Sequence, residues 1–237
     1  MLYRVGVQCV LPPGYLCRGY PQTAAGDAER GERIITQNRV LFHRLATTLN
    51  YLDIRTVIVS CGTCLDQLES YEFGRIFPGS RLLDIHEYLL EKGVKLEGVS
   101  GERYLYHDPC HSPIKQHQPL EVARALTGTD VALSPRCCGE SGTLALTRPD
   151  VSTQVRFRKQ EELEAGVAAL RAGDPRRNVK ILTSCPSCLQ GLARFSGDTG
   201  AQADYIVVEM ARKLLGESWL PEFVARANAG GIERVLL

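Results

Sequence analysis

The sequence predicts an α/β fold made of two pseudo-repeated units with mainly parallel sheets, the first unit truncated. Three observations lead there. Short β-branched runs alternate with long helical patterns, as in sheets covered by helices. A strand followed by C-x-x-C-L and a helix occurs twice, as "TVIVSCGTCLDQL" from Thr56 and "VKILTSCPSCLQGL" from Val179. A hydrophobic content of 44% in 237 residues is enough to fill a substantial core.

In chain order, candidate strands are Gly6–Leu11, Thr56–Ser60, Tyr104–His107, Asp130–Leu133 and Val179–Thr183. Ile34, Leu41, Leu45 and Leu49 mark the apolar face of one helix, with Asp27 as its capping residue. A second helix spans Val151–Leu170 and stops at Gly173 and Pro175; others span Ile85–Lys92 and Val207–Leu215 and end at Gly93 and Gly216. Trp219, Leu220, Phe223 and Val224 give a last amphipathic helix, expected to dock on its own domain, with a partner contact as the alternative.

The two C-x-x-C segments keep similar surroundings: Cys61 precedes Gly93 by 32 residues and Cys185 precedes Gly216 by 31. Likewise "LCRGYP" at Leu16–Pro21 parallels "CCGESG" at Cys137–Gly142, with Cys17 opposite Cys137. The offset is 185 − 61 = 124 at one pair and 137 − 17 = 120 at the other, so internal repetition of a Rossmann-like unit is expected. A counterpart of Cys110 would then fall before Met1, and the first unit is read as truncated. The domain reading is 1–100 for a degenerate first repeat, 101–216 for a complete second repeat, and 217–237 for a C-terminal helix and tail, with the seam at Gly98–Glu102.

Composition narrows the function. With 28 basic and 27 acidic residues, well mixed, nothing favours nucleic acid or an anionic membrane. The N-terminus has no secretory pattern, and no stretch reaches the roughly 18 apolar residues of a membrane span, so a cytoplasmic location is expected. Nine cysteines in such a compartment point to metal or redox chemistry rather than disulfides. A disulfide between the neighbours Cys137 and Cys138 would be strained.

The second unit offers Cys110, Cys137, Cys138, Cys185 and Cys188, each group just past a predicted strand end, where open α/β sheets bind ligands. Five thiolates are one more than a tetrahedral zinc or a cubane cluster takes, which favours a larger or unusual iron–sulfur assembly. Zinc on four of them, or a thioredoxin-like dithiol at Cys185 and Cys188, are the competing readings. His107, Asp108 and His111 flank Cys110 and are candidates to donate hydrogen bonds to sulfur or relay protons; turn capping is the plainer alternative. Arg136 and Lys115 are candidate counter-charges. "GESGTLAL" lacks G-x-G-x-x-G, so no dinucleotide fingerprint is assigned; Gly139 and Gly142 instead suit a tightly folded backbone.

The spacing Cys110, x26, Cys137-Cys138-Gly139, x46, Cys185-Pro186-Ser187-Cys188 resembles the cysteine-rich "CCG" domain of iron–sulfur oxidoreductases. That family includes the B subunit of heterodisulfide reductase, lactate-utilisation protein A, the glycolate oxidase iron–sulfur subunit and the C-terminal part of large FAD-linked oxidoreductases. The resemblance implies a 4Fe-4S cluster on these five cysteines, non-cubane in some members and cubane in others. It also implies electron transfer with a flavin- or ferredoxin-type redox subunit or domain, linked to oxidation of a 2-hydroxy acid such as lactate or glycolate. The first unit departs from the pattern: Arg18 replaces a cysteine, and only Cys17, Cys61 and Cys64 match. Cys9 offers a fourth thiolate for a zinc site there, against a reading as a small buried hydrophobe. A zinc-stabilised structural or interaction module without redox turnover is the alternative function.

Overall fold

The computed structural model describes residues 1–11, 19–97, 101–140 and 144–230. Cys17, Arg18, Gly142 and residues 98–100 of the expected seam lie outside them. The chain opens with a single 3-10 turn at Tyr3–Val5, closed by Gly6 at φ 73°. That left-handed glycine and the irregular residues after it replace the strand expected at Gly6–Leu11; among the described residues no ladder partner holds the segment extended. A short helix α1 (Tyr20–Ala24) then leads to α2 (Ala28–Thr48), whose cap Asp27 accepts from the Arg30 amide at 3.0 Å.

The first sheet pairs β1 (Thr56–Val59) in parallel with β2 (Arg81–Asp84). Helices α3 (Gly62–Glu69) and α4 (Phe73–Ile76) connect them, and α5 (Ile85–Glu91) follows. The second sheet is built from β3 (Glu102–His107), β4 (Val131–Leu133), β5 (Asn178–Thr183) and β6 (Gln202–Tyr205). Its order is β4-β3-β5-β6, all parallel, with His107 beside Thr183 and Thr183 beside Tyr205. Its crossovers are α6 (Pro119–Thr127), then α7 (Leu144–Thr147) with the long α8 (Pro149–Leu170), then α9 (Pro186–Ala193) with α10 (Ser196–Thr199). Helices α11 (Ile206–Leu215) and α12 (Trp219–Gly230) complete the described chain.

The α/β class with parallel sheets is therefore present. Strands β2 and β6 were not expected: "RLLD" and "QADY" lack β-branched runs and are too short to show alternation. Strand–helix–strand–helix order occurs around both C-x-x-C segments, with β1, α3, β2, α5 in one and β5, α9, β6, α11 in the other. One core lies across the two sheets, where Ile85 and Leu89 of α5 pack with Tyr104, Leu182, Ile206 and Met210. A separate aromatic cluster of Phe42, Tyr71 and Phe73 sits under α2. The apolar face of α12 is docked only in part: Trp219 is half-buried, whereas Leu220, Phe223 and Val224 are exposed. Among the described residues no helix is long and apolar enough to cross a membrane.

Candidate metal centre

Parallel strands place their C-terminal ends on one side, and every cysteine of the site follows such an end. Cys61 is the N-cap of α3 (φ −156°, ψ 126°) and Cys185 the N-cap of α9 (φ −136°, ψ 127°), nearly the same conformation. Cys64 and Cys188 follow in the first turn of their helices. Cys110 stands in the loop after β3, and Cys137 and Cys138 in the loop after β4. There Gly139 takes φ 78°, and its amide donates to Cys137 Sγ at 3.4 Å. A Cβ at Gly139 would stand 3.3 Å from the Ser152 carbonyl and 2.9 Å from Arg156 Cγ, so glycine lets the loop lie close on α8.

The sulfur atoms form one row. Cys110 Sγ lies 3.9 Å from Cys137 Sγ, and Cys138 Sγ lies 3.4 Å from Cys188 Sγ. Cys137 is in hydrogen-bonding reach of Cys138, Cys188 of Cys185, Cys185 of Cys61, and Cys61 of Cys64. The row starts at exposed Cys110, passes through buried Cys138, Cys188 and Cys185, and ends at half-buried Cys61 and Cys64. The five second-unit cysteines thus meet, and the first unit's C-x-x-C meets them, which sequence spacing did not suggest.

Contacts between the sulfur atoms shift their proton affinities in opposite directions. Contacts with Cys137 and Cys188 pull Cys138 far below the ordinary thiol range. Cys61 is lowered to about 2 by contacts with Cys185 and Cys64 and by the amides of Cys64 and Thr63 at the helix N-terminus. Cys137 and Cys188 are raised, each by donating a hydrogen bond to Cys138; Cys188 is raised further by its contact with Cys185, and burial adds to both. Cys188 favours the Cys185 thiolate, but donation to Cys61 together with burial leaves Cys185 raised. A cysteine such as Cys138, held low by neighbouring thiols that are themselves site residues, is a donor that a metal completes by displacing the remaining protons.

Around the row, His107 is the histidine that reaches sulfur. One of its ring nitrogens lies within 4.8 Å of both the Cys138 and Cys188 sulfur atoms, and all three residues are buried. Its Nδ1 faces the Ser134 carbonyl at 3.4 Å and Lys159 Nζ at 3.3 Å, while buried Nε2 has no nitrogen or oxygen partner. Lys159 is wholly buried and donates to Ser134 Oγ at 2.6 Å and to Glu162 at 2.9 Å. Burial lowers its pKa, against the raising influence of Glu162, Cys138 and Cys137. Sequence reading passed over Lys159 because "RKQEEL" looks like a solvated helix face; its i, i+3 pairing with Glu162 was the available signal.

The other flanking candidates point elsewhere. Asp108 accepts from Tyr106 Oη at 2.9 Å and Ser112 Oγ at 2.8 Å. His111 and Lys115 both pair with Asp66 of α3, at 2.6 and 2.8 Å. Arg136 engages Glu162 and the Arg158 carbonyl. Cys9 stands outside the row, its sulfur 3.7 Å from the Val7 carbonyl; burial raises its pKa, opposed by the nearby N-terminal amine. Cys17 lies outside the described residues.

The donor set fits an iron–sulfur cluster: five adjacent sulfur atoms from three remote segments, a buried imidazole facing two of them and a buried cation. Sequence comparison agrees with the chemistry. The cysteine-rich domain (CCG) profile matches residues 104–193, and a domain of unknown function (DUF3400) matches residues 193–237. An uncharacterized iron–sulfur protein of Methanococcus maripaludis is 24% identical over 86% of this chain and 40% of its own length. The glycolate oxidase iron–sulfur subunit of Escherichia coli is 38% identical over 35% of this chain and 22% of its own length. The chain thus spans less than half of these curated relatives, and no solved structure matches it.

Proposed function

Since residues 104–193 belong to the cysteine-rich CCG domain family of iron–sulfur oxidoreductases, we propose that this chain is an iron–sulfur electron-transfer unit, with Cys110, Cys137, Cys138, Cys185 and Cys188 holding a 4Fe-4S cluster. The contiguity of sulfur across three remote segments carries the reading. When bound, such a cluster accepts and donates single electrons. The residues supply its environment. Buried Lys159 places a positive charge near Cys137 and Cys138 and offsets the charge of the thiolates. Through Nδ1, the Ser134 carbonyl and Lys159 orient His107 toward Cys138 and Cys188. Exposed Cys110 brings one end of the site to the surface, where a flavin- or ferredoxin-type subunit can approach. The glycolate oxidase relative supports a place in 2-hydroxy acid oxidation, with lactate or glycolate as the substrate class.

The test is metal and sulfide analysis of anaerobically purified protein with its visible absorption spectrum. Iron, acid-labile sulfide and broad visible absorbance are expected; alanine at any of the five cysteines removes the colour, and Cys9→Ala does not. The grouping of His107, Cys138 and Cys188 favours one second reading, a buried zinc site in a structural module. Colourless protein with stoichiometric zinc would establish that reading instead.

A further inference from the structure

Five cysteines account for the site proposed above; Cys61 and Cys64 do not enter it. They occupy the opposite, half-buried end of the sulfur row, and Cys61 touches Cys185, a member of the five. Cys61 caps the eight-residue helix α3 in an extended conformation, and Cys64 lies in the first turn with its sulfur in hydrogen-bonding reach of Cys61. The Thr63 and Cys64 amides point at the Cys61 sulfur. This is the C-x-x-C placement at a helix N-terminus that dithiol oxidoreductases use. Here it adjoins a metal-ligand sulfur, and Cys9, the fourth thiolate a zinc site would need, is turned to the Val7 carbonyl.

We infer that Cys61 and Cys64 form a redox-active dithiol that converts single electrons from the five-cysteine site into a two-electron thiol–disulfide couple for a carrier protein of the thioredoxin class. The inference rests on the reading of Cys185 as a cluster ligand. In charging, the Cys61–Cys64 S–S bond takes up two electrons, supplied singly by a reduced ferredoxin- or flavin-type protein, and two protons from water, and leaves two thiols. In discharge, the Cys61 thiolate attacks one sulfur of the oxidised carrier's disulfide. A mixed disulfide forms and the carrier's other sulfur leaves as a thiol. Cys64 then attacks Cys61, releasing the carrier's second thiol and restoring the internal disulfide.

The experiment uses the full chain, purified anaerobically with its iron. It is equilibrated in dithiothreitol redox buffers, alkylated and mapped by mass spectrometry, with iron, sulfide and visible spectrum recorded on the same samples. A Cys61–Cys64 disulfide is expected in the oxidised buffers, reversed in the reduced ones and by reduced ferredoxin, with iron content unchanged throughout. The Cys61→Ser/Cys64→Ser variant should keep its iron and spectrum and fail to reduce oxidised thioredoxin. The proposal is overturned if both thiols stay alkylatable in every buffer. It is equally overturned if they retain zinc, or if the double variant loses the iron, which would make them metal ligands. A chain without iron that still forms the disulfide would sink the cluster reading and the recharging step, while leaving the dithiol itself in place.

Discussion

Lys159 is the residue whose burial most needs explaining. A lysine with no exposed surface is costly in a protein interior unless every donor is used. Here the ammonium reaches the Ser134 carbonyl and hydroxyl, Glu162 and His107 Nδ1. Glu162 in turn accepts from Ser134 Oγ at 2.5 Å and the Arg136 amide at 2.8 Å, which together with Lys159 outweigh burial and hold its carboxyl low. The group therefore fixes the loop that leads into Cys137. Lys159→Met keeps the stem and removes the charge. It should cost about 3 kcal/mol in denaturant unfolding, because Glu162 is left without its buried partner. In iron-loaded protein it should also lower the reduction potential in a redox titration, since a reduced cluster carries one more negative charge for the lysine to stabilise. An unchanged potential would leave Lys159 a purely structural residue.

At the level of elements, the opposite end of the second sheet is held by charge. Glu102 at the start of β3 accepts from Tyr104 Oη at 2.9 Å and lies 3.1 Å from Lys213 of α11 and 3.5 Å from Lys180 of β5. Lys180 also reaches buried Glu209 of α11 at 2.8 Å. Burial opposes ionisation of Glu102, yet Lys213, Tyr104 and Lys180 bring its pKa from 4.5 to about 2. A depressed carboxylate contributes stability that is complete above its unfolded pKa and disappears as pH falls through its folded pKa. The contribution, on the order of 1–3 kcal/mol after allowance for solvent screening, should therefore be lost between about pH 4.5 and about pH 2. Glu102→Gln should flatten the stability curve in that window, as followed by thermal unfolding at a series of pH values. This network explains part of what the sequence hid. "ERYLYH" and "NVKILT" read as strands because β-branched and aromatic residues alternate, but Lys180 in a central strand looks out of place until Glu102 and Glu209 are seen against it. Strand β6 is a strand because it pairs with β5, and "QADY" carries almost no local signal of that.

Across the whole molecule, the cysteine motif was legible because C-x-x-C and Cys-Cys-Gly are local patterns, whereas the hold that residues 62–87 have on the loop after β3 was not, since those contacts join segments remote in sequence. Buried Glu87 of α5 accepts from the Gln116 and His117 amides at 2.7 and 3.0 Å. Asp66 of α3 holds His111 and Lys115. Gly62 lies so close that a Cβ there would fall 1.6 Å from the His111 carbonyl oxygen, inside any allowed contact. Tyr205 adds a link between the units, its hydroxyl reaching the carbonyls of Ser60 and Ser184, the residues just before the two C-x-x-C pairs. The first unit thus clamps the loop that carries Cys110, whose sulfur neighbour among the described residues is Cys137. If that clamp sets the position of Cys110, loosening it should be felt at the metal centre and not only in global stability. Glu87→Ala leaves two backbone amides without an acceptor and should cost about 2–4 kcal/mol. Hydrogen exchange should accelerate through residues 110–117, and iron should be lost to a chelator faster than from wild type. Glu87→Gln, which keeps one carbonyl acceptor, should fall between the two. Faster exchange in this loop with iron retained as in wild type would show that Cys110 finds its place without the first unit.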